Sequence, residues 1–297
     1  KIIFIDEQNN KINFKNLNLK EKFSNKKREV NGSFTFSDNK VNFMFLNQSQ
    51  FKKYLKINIP SLKQSLEINF DKESTLKNLS GQLRLKMFES ILLLNFQGKE
   101  DFKIISSYLR NKFINSKIDG KIIFKNQFNF NLNLDVNQIS LRKLLLYYPI
   151  FETGGISKKI NGKLNILVKN SHTLFGKIKD TKMIVEFENG DIRIKNISAN
   201  LSAQSQLKSN LSILFNNRRP KIEFNTHFLS SNADKFIRKF GIYDFDENEI
   251  SLYLNGNVDL DNKKIKFKKI IMNDSHSITK DQTKLLEKSF NQSILDD

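Results

Sequence analysis

The chain contains no cysteine and no tryptophan, and only three prolines, eleven glycines and three histidines. Without cysteine there are no disulfides and no thiolate metal sites, although an oxidising compartment stays permitted. No apolar run is long enough to span a bilayer, which takes roughly 20 residues. The longest, Leu144 to Phe151, falls well short. Motifs of catalysis are missing too. There is no G-x-S-x-G elbow, no Walker loop and no H-E-x-x-H. His172, His227 and His276 match no metal-site spacing and read as exposed polar residues, the first and last in loops. Asp244, Asp246, Glu247 and Glu249 lack EF-hand spacing and its glycine, so they read as a solvated turn. The expectation is a protein with no catalytic residues, no metal and no cofactor.

What the chain does have is alternation. Phe128-Asn-Phe130-Asn-Leu132-Asn-Leu134-Asp-Val136 puts hydrocarbon on every second position and Asn or Asp between. A period of two marks a β-strand with one buried side. The same rhythm returns in Leu55/Ile57/Ile59, Leu66/Ile68/Phe70, Leu83/Leu85/Met87 and Leu164/Ile166/Val168. It continues in Met183/Val185/Phe187, Leu211/Ile213/Phe215, Ile222/Phe224 and Ile250/Leu252/Leu254. Counting repeats predicts about fifteen to eighteen strands, which at ~4.8 Å spacing would run roughly 70–85 Å in series. Only 38% of the chain is hydrophobic and the mean hydropathy is −0.48. That suffices for a sheet with one apolar face and is thin for a core between layers.

The net charge of +19 would ordinarily suggest nucleic acid or an anionic membrane. Here the lysines are spread along polar strand positions, in a composition crowded with Lys, Asn, Ile and Phe that fits an AT-rich genome. A solvated basic face is therefore expected, with no nucleic-acid partner. The phenylalanines share a face with aliphatic residues, unlike the few exposed rings of a single-strand-binding platform.

Glycine repeatedly precedes an alternating run, at Gly32, Gly81, Gly120, Gly162 and Gly256. These read as hairpin punctuation at strand starts in a reiterated architecture. Two strands run into short helices. One helix is expected from Ser140 as N-cap to Pro149, the other from Asn232 to Gly241. Weaker copies span Phe51 to Leu55 and Phe102 to Leu109. Too short to stand alone, they are expected to fold over a sheet edge or plug an end. Residues 150–160, with Gly154-Gly155, offer a possible joint. Residues 1–273 are read as one repetitive β-groove domain and 274–297 as an amphipathic helical tail, with Leu285, Leu286, Phe290 and Ile294 on one side. The chain starts at Lys1, not Met, and is expected to be a fragment or processed product.

The predicted fold is thus mainly β: a long, curled, repetitive antiparallel sheet forming an elongated apolar groove, with a few short helices and a C-terminal helix. Its candidate lining is Phe128, Phe130, Leu132, Leu134, Val136, Leu164, Ile166, Val168, Ile222, Phe224, Leu252 and Leu254. Arg218 and Arg219, in the turn Asn216–Pro220, are candidates for headgroup contact, against the plainer reading of an exposed hairpin loop.

The unit from Phe128 to Pro149, and the segment from Glu249 through Gly256-Asn-Val-Asp-Leu260 to Ile271, resemble the AsmA-like proteins of Gram-negative bacteria, relatives of TamB and YhdP. The resemblance spans about residues 10–290 and rests on patterns, without invariant catalytic residues. It implies a periplasmic body tethered to the inner membrane by an N-terminal helix that this chain lacks. It also implies phospholipid acyl chains as cargo, inner and outer membranes as partners, and a role in phospholipid transport and outer-membrane biogenesis. The alternation alone equally allows a structural or adhesive β-sandwich or solenoid protein with a closed core.

Overall fold

A computed structural model describes residues 2–5, 11–24, 26–36, 38–48, 52–75, 77–87, 89–112, 114–124, 128–140, 158–173, 176–201, 204–215, 221–234, 248–259, 264–273, 276–277 and 279–294. The chain divides into two compact units, Lys1–Lys121 and Ile122–Asp297.

In the first unit the strands are β1 (Ile2–Ile5), β2 (Lys11–Ser24), β3 (Lys27–Phe36), β4 (Asn39–Gln48) and β5 (Lys52–Ile59). They continue as β6 (Gln64–Phe70), β7 (Leu79–Met87), β8 (Ser90–Gly98), β9 (Asp101–Arg110) and β10 (Ile114–Phe124), the last of which runs past the unit boundary at Lys121. From β2 to β9 each strand pairs antiparallel with the next, and β10 joins β9. β1 covers only Lys11–Phe14 of β2.

The second unit holds β11 (Phe128–Ser140), β12 (Ile160–Thr173), β13 (Gly176–Glu188), β14 (Asp191–Leu201) and β15 (Ser205–Leu214). Then come β16 (Lys221–Ser230), β17 (Ile250–Asp259), β18 (Lys264–Met272), β19 (His276–Ser277) and helix α1 (Lys280–Ile294). From β12 to β19 successive strands are antiparallel. One pair departs from the expected all-antiparallel sheet: β11 lies parallel to β12. A parallel pair needs a crossover of a dozen or more residues. The stretch between Ser140 and Ile160 is long enough for one.

Two segments expected as short helices are strands. Phe51–Leu55 falls largely in β5 and Phe102–Leu109 in β9. Windows this short cannot be assigned by periodicity, and ladder partners decide them. β5 finds β4 and β6; β9 finds β8. The helix expected over 140–149 and most of that over 232–241 lie outside the described residues, as do Gly154-Gly155 and the turn 216–220. Of the second helix, Ala233 and Asp234 are described and helical. Ala233 is fully buried against Phe228 and Ile250, with Leu201, Leu252 and Met272 packed around them. Its N–H donates to the Asn248 carbonyl at 2.8 Å. The start of this segment therefore seals one end of the sheet's apolar side in the second unit.

Bulges interrupt the ladders, and four of them contain a residue with positive φ: Asn16, Ser106, Asp180 and Asn196. An extra residue shifts the alternation by one. That is why Ile194 and Ile197, three apart, share a side. The tight β13–β14 hairpin turns on Asn189-Gly190, with φ of 53° and 91°, as a type I′ turn requires.

Helix α1 starts in a capping box. Thr279 Oγ1 accepts from the Gln282 N–H at 3.3 Å, and Gln282 Oε1 accepts from the Thr279 N–H at 2.9 Å. The helix packs on β18, and polar residues make the contact. Glu287 Oε1 accepts from the Phe267 N–H at 2.7 Å and Asn291 Oδ1 from the Ile265 N–H at 2.8 Å. These acceptors stand where a further strand would stand, and so blunt an edge. Leu285, expected on the packed side, is 68% exposed, while Leu286 is half-buried. The side chains of Phe290 and Ile294 lie outside the described residues. Replacing Glu287 and Asn291 together by Ala is expected to cost about 1–3 kcal/mol locally. Hydrogen exchange at the Ile265 and Phe267 amides should accelerate. Unchanged exchange there would refute the guarding role.

Candidate functional site

Strand register decides which side chains are neighbours. Across β11 and β12, Phe128, Phe130, Leu132, Leu134 and Val136 stand beside Ile160, Gly162, Leu164, Ile166 and Val168. On β13 the same side continues with Phe187, Val185, Met183 and Thr181. It runs through Ile192 and Ile194 of β14 and Ile213 and Leu211 of β15. It reaches Ile222 and Phe224 of β16, then Val258, Gly256, Leu254 and Leu252 of β17. Ile265, Phe267, Ile270 and Met272 of β18 complete it. All twelve lining candidates therefore share one face of the second unit. Val136 and Val168 are buried, at 1% and 4% exposure. The other ten are half-buried and keep contact with solvent.

The first unit repeats the arrangement. Phe43, Phe45, Leu55, Ile57, Leu66, Ile68, Leu83, Leu85, Leu92 and Leu94 lie on one face by register. None of these ten is fully buried. No part of this face entered the lining expected from sequence.

The glycines sit inside strands, contrary to the reading of them as punctuation at strand starts. Four of them lie across from phenylalanine on the apolar face. Gly81 is flanked by Phe70 and Phe96, and Gly162 by Phe130 and Phe187. Gly256 is flanked by Phe224 and Phe267, and Gly32 faces Phe43. The flanking rings meet over the missing side chain. Centroids are 6.2 Å apart for Phe70–Phe96, 5.5 Å for Phe130–Phe187 and 6.0 Å for Phe224–Phe267. Such ring-over-glycine packing compensates a glycine's weakness in a sheet. It requires that no Cβ be present: one at Gly256 would lie 2.8 Å from the Phe224 ring. Thr181 is a polar exception on the apolar side, with a buried hydroxyl that has no hydrogen-bond partner among the described residues.

The opposite face is polar and braced sideways. Asn165 donates to Asn133 at 2.9 Å, and Asn225 accepts from Asn255 and from the Tyr253 hydroxyl. His227 points to this side, its Nε2 3.0 Å from Ser251 Oγ. His172 and His276, expected in loops, lie in β12 and β19. Glu249, of the four acidic residues expected in a turn, is exposed just before β17, and the other three lie outside the described residues.

Lysines pair with the fewer acids, across strands in Lys56–Glu67 at 2.8 Å and Lys195–Glu186 at 2.5 Å, and along β16 in Lys221–Glu223 at 2.9 Å. In each case the lysine's hydrogen bond is the main cause that holds the carboxyl below its ordinary 4.5. Glu67 in turn raises Lys56 above 10.5. A carboxyl lowered on folding adds stability above its unfolded pKa, and that stability fades as pH falls through the folded value. A raised lysine adds stability below 10.5, lost as pH rises further. The pairs are largely exposed, so each contributes little. The melting temperature is expected to stay level from neutral pH down to about 5 and fall below about 4.5. The triple variant Glu67→Gln, Glu186→Gln, Glu223→Gln should show a shallower acid slope in a calorimetric pH series.

Arg218 and Arg219 lie outside the described residues. No protein-family model, curated protein or solved structure matches the chain. The geometry by itself defines a class: a mainly β protein of meandering ladders whose strands present one apolar and one polar side.

Proposed function

We propose that the apolar face is an elongated, unroofed groove that holds lipid acyl chains, and that the chain is a non-enzymatic lipid-binding or lipid-transfer protein of the AsmA-like kind. The observation that carries this reading is the solvent contact kept by ten of twelve lining candidates on a face that continues from strand to strand through the bulges. In a sandwich with a filled core those side chains would be covered. Hydrocarbon laid along such a face is held by area, at about 0.8 kcal/mol per buried methylene. No recognition residue is needed, and neighbouring positions are alike, so sliding along the groove costs little. Lysines on the opposite face keep the outer surface in water. The periplasm, between inner and outer membranes, and phospholipid transport in support of outer-membrane biogenesis follow from the resemblance.

Native mass spectrometry of the purified protein tests the proposal. Phospholipid retained through purification and stripped by detergent exchange is the expected result. Protein that carries no lipid and takes up none from phosphatidylethanolamine–phosphatidylglycerol vesicles would favour the closed structural reading instead.

A further inference from the structure

The chain guards one sheet edge, and among the described residues another has no strand beside it over most of its length. In the second unit, α1 supplies acceptors to the outer N–H groups of β18. In the first unit, β1 covers β2 only as far as Phe14. Beyond that point β2 pairs with β3 on one side and with no described strand on the other. Every residue from Lys15 to Ser24 is exposed. They include Leu17, Leu19 and Phe23, at 37%, 55% and 79%. An edge this long, with apolar side chains, is a template for another strand.

Its two faces specify what would fit. Beyond the bulge at Asn16, Leu19, Glu21 and Phe23 share a side with Gly32, Val30 and Arg28 of β3. This side continues the apolar face, and Glu21 is already held by Arg28 at 2.7 Å. The other side carries Asn18, Lys20 and Lys22, opposite Ser33, Asn31 and Glu29. Glu29 already bonds Lys27 at 3.1 Å and accepts from Asn31 at 2.7 Å. Lys20 and Lys22 therefore offer positive charge to whatever lies on their open flank. Directly opposed like charges destabilise a strand pair and opposite charges stabilise it. A second copy of β2 would set lysine against lysine, which disfavours a symmetric dimer at this edge.

We propose that the outer edge of β2, from Asn18 to Ser24, docks an extended segment of a partner protein in which apolar residues alternate with Asp or Glu. Backbone hydrogen bonds would supply the pairing, apolar residues would extend the face at Leu19 and Phe23, and carboxylates would meet Lys20 and Lys22. This proposal does not depend on the lipid reading.

The test is fluorescence anisotropy of a labelled peptide, Val-Glu-Ile-Asp-Val-Glu-Ile, titrated with the full chain. Saturable binding is expected. It should weaken about tenfold for the peptide with Lys at the acidic positions, and likewise for Lys20→Glu with Lys22→Glu in the protein. Leu19→Ser with Phe23→Ser, at exposed positions that leave the fold intact by circular dichroism, should also lose it. A peptide N-methylated at alternate amides should not bind, because it cannot pair. Any of three results overturns the proposal: no binding by the unmodified chain, equal binding of a peptide with the same residues in apolar and acidic blocks, or binding indifferent to the β2 variants. Dimerisation in sedimentation velocity that the Leu19→Ser, Phe23→Ser variant abolishes would also overturn it, since the occupant would then be a second copy.

Discussion

Gly256→Ala is expected to destabilise the second unit by about 1–3 kcal/mol, although it adds a single methyl group. In most strands the same change would be neutral or helpful, because glycine weakens a sheet. Here the new Cβ would press on the Lys266 carbonyl oxygen and lie 2.8 Å from the Phe224 ring. The ring can turn aside, but the carbonyl belongs to the neighbouring strand. Trimming the ring with Phe224→Leu should therefore fail to rescue Gly256→Ala. Gly32 provides the opposite case. Its nearest neighbours are the tip atoms of the Phe43 ring, and the closest backbone atom is 2.9 Å away. Phe43→Leu should recover much of the loss caused by Gly32→Ala. A double-mutant cycle in urea measures both couplings. Strong coupling at position 32 and weak coupling at position 256 is the expected pattern. The reverse would show that the rings do not occupy the space left by the glycines.

The second large effect bears on the proposed lipid binding. Leu132→Asp and Phe224→Asp each place a carboxylate on the apolar face at a half-buried position, and Phe224→Asp also removes the ring packed over Gly256 and against Phe267. A charge facing hydrocarbon loses its hydration without finding a partner. Retained phospholipid should fall about tenfold or more for either variant, the equivalent of roughly two methylene contacts. Lys163→Ala and Lys208→Ala lie on the opposite face by register, beside Asn131 and His227. They should leave lipid content within about twofold of the unmodified protein. Native mass spectrometry with parallel circular dichroism separates lost binding from lost fold. Equal lipid loss from both faces, with the fold intact, would refute the assignment of the groove to the apolar side.

Alternation of side chains made much of the architecture legible. Phe128 to Val136, Leu164 to Val168 and Ile222 to Phe224 could be assigned to strands, and to a common side of each strand, from periodicity alone. The C-terminal helix was legible from Thr279 onward. Where local signals were short, they failed. Phe102 to Leu109 holds apolar residues at spacings compatible with helix or strand, and pairing with β8 settled it. The bulges at Asp180 in β13 and at Asn196 in β14 leave no clear mark in composition, because both residues look like ordinary polar positions.

The sequence by itself determined the period of two, and with it the division of each strand into a water-facing and a hydrocarbon-facing side. Tertiary structure decided how those sides add up. Register placed twelve separated residues on one face, made one strand pair parallel, and set phenylalanines across from glycines. The physical reason is that side-chain direction is a local property of extended backbone, whereas the partner across a ladder is chosen by hydrogen bonds between residues far apart in the chain.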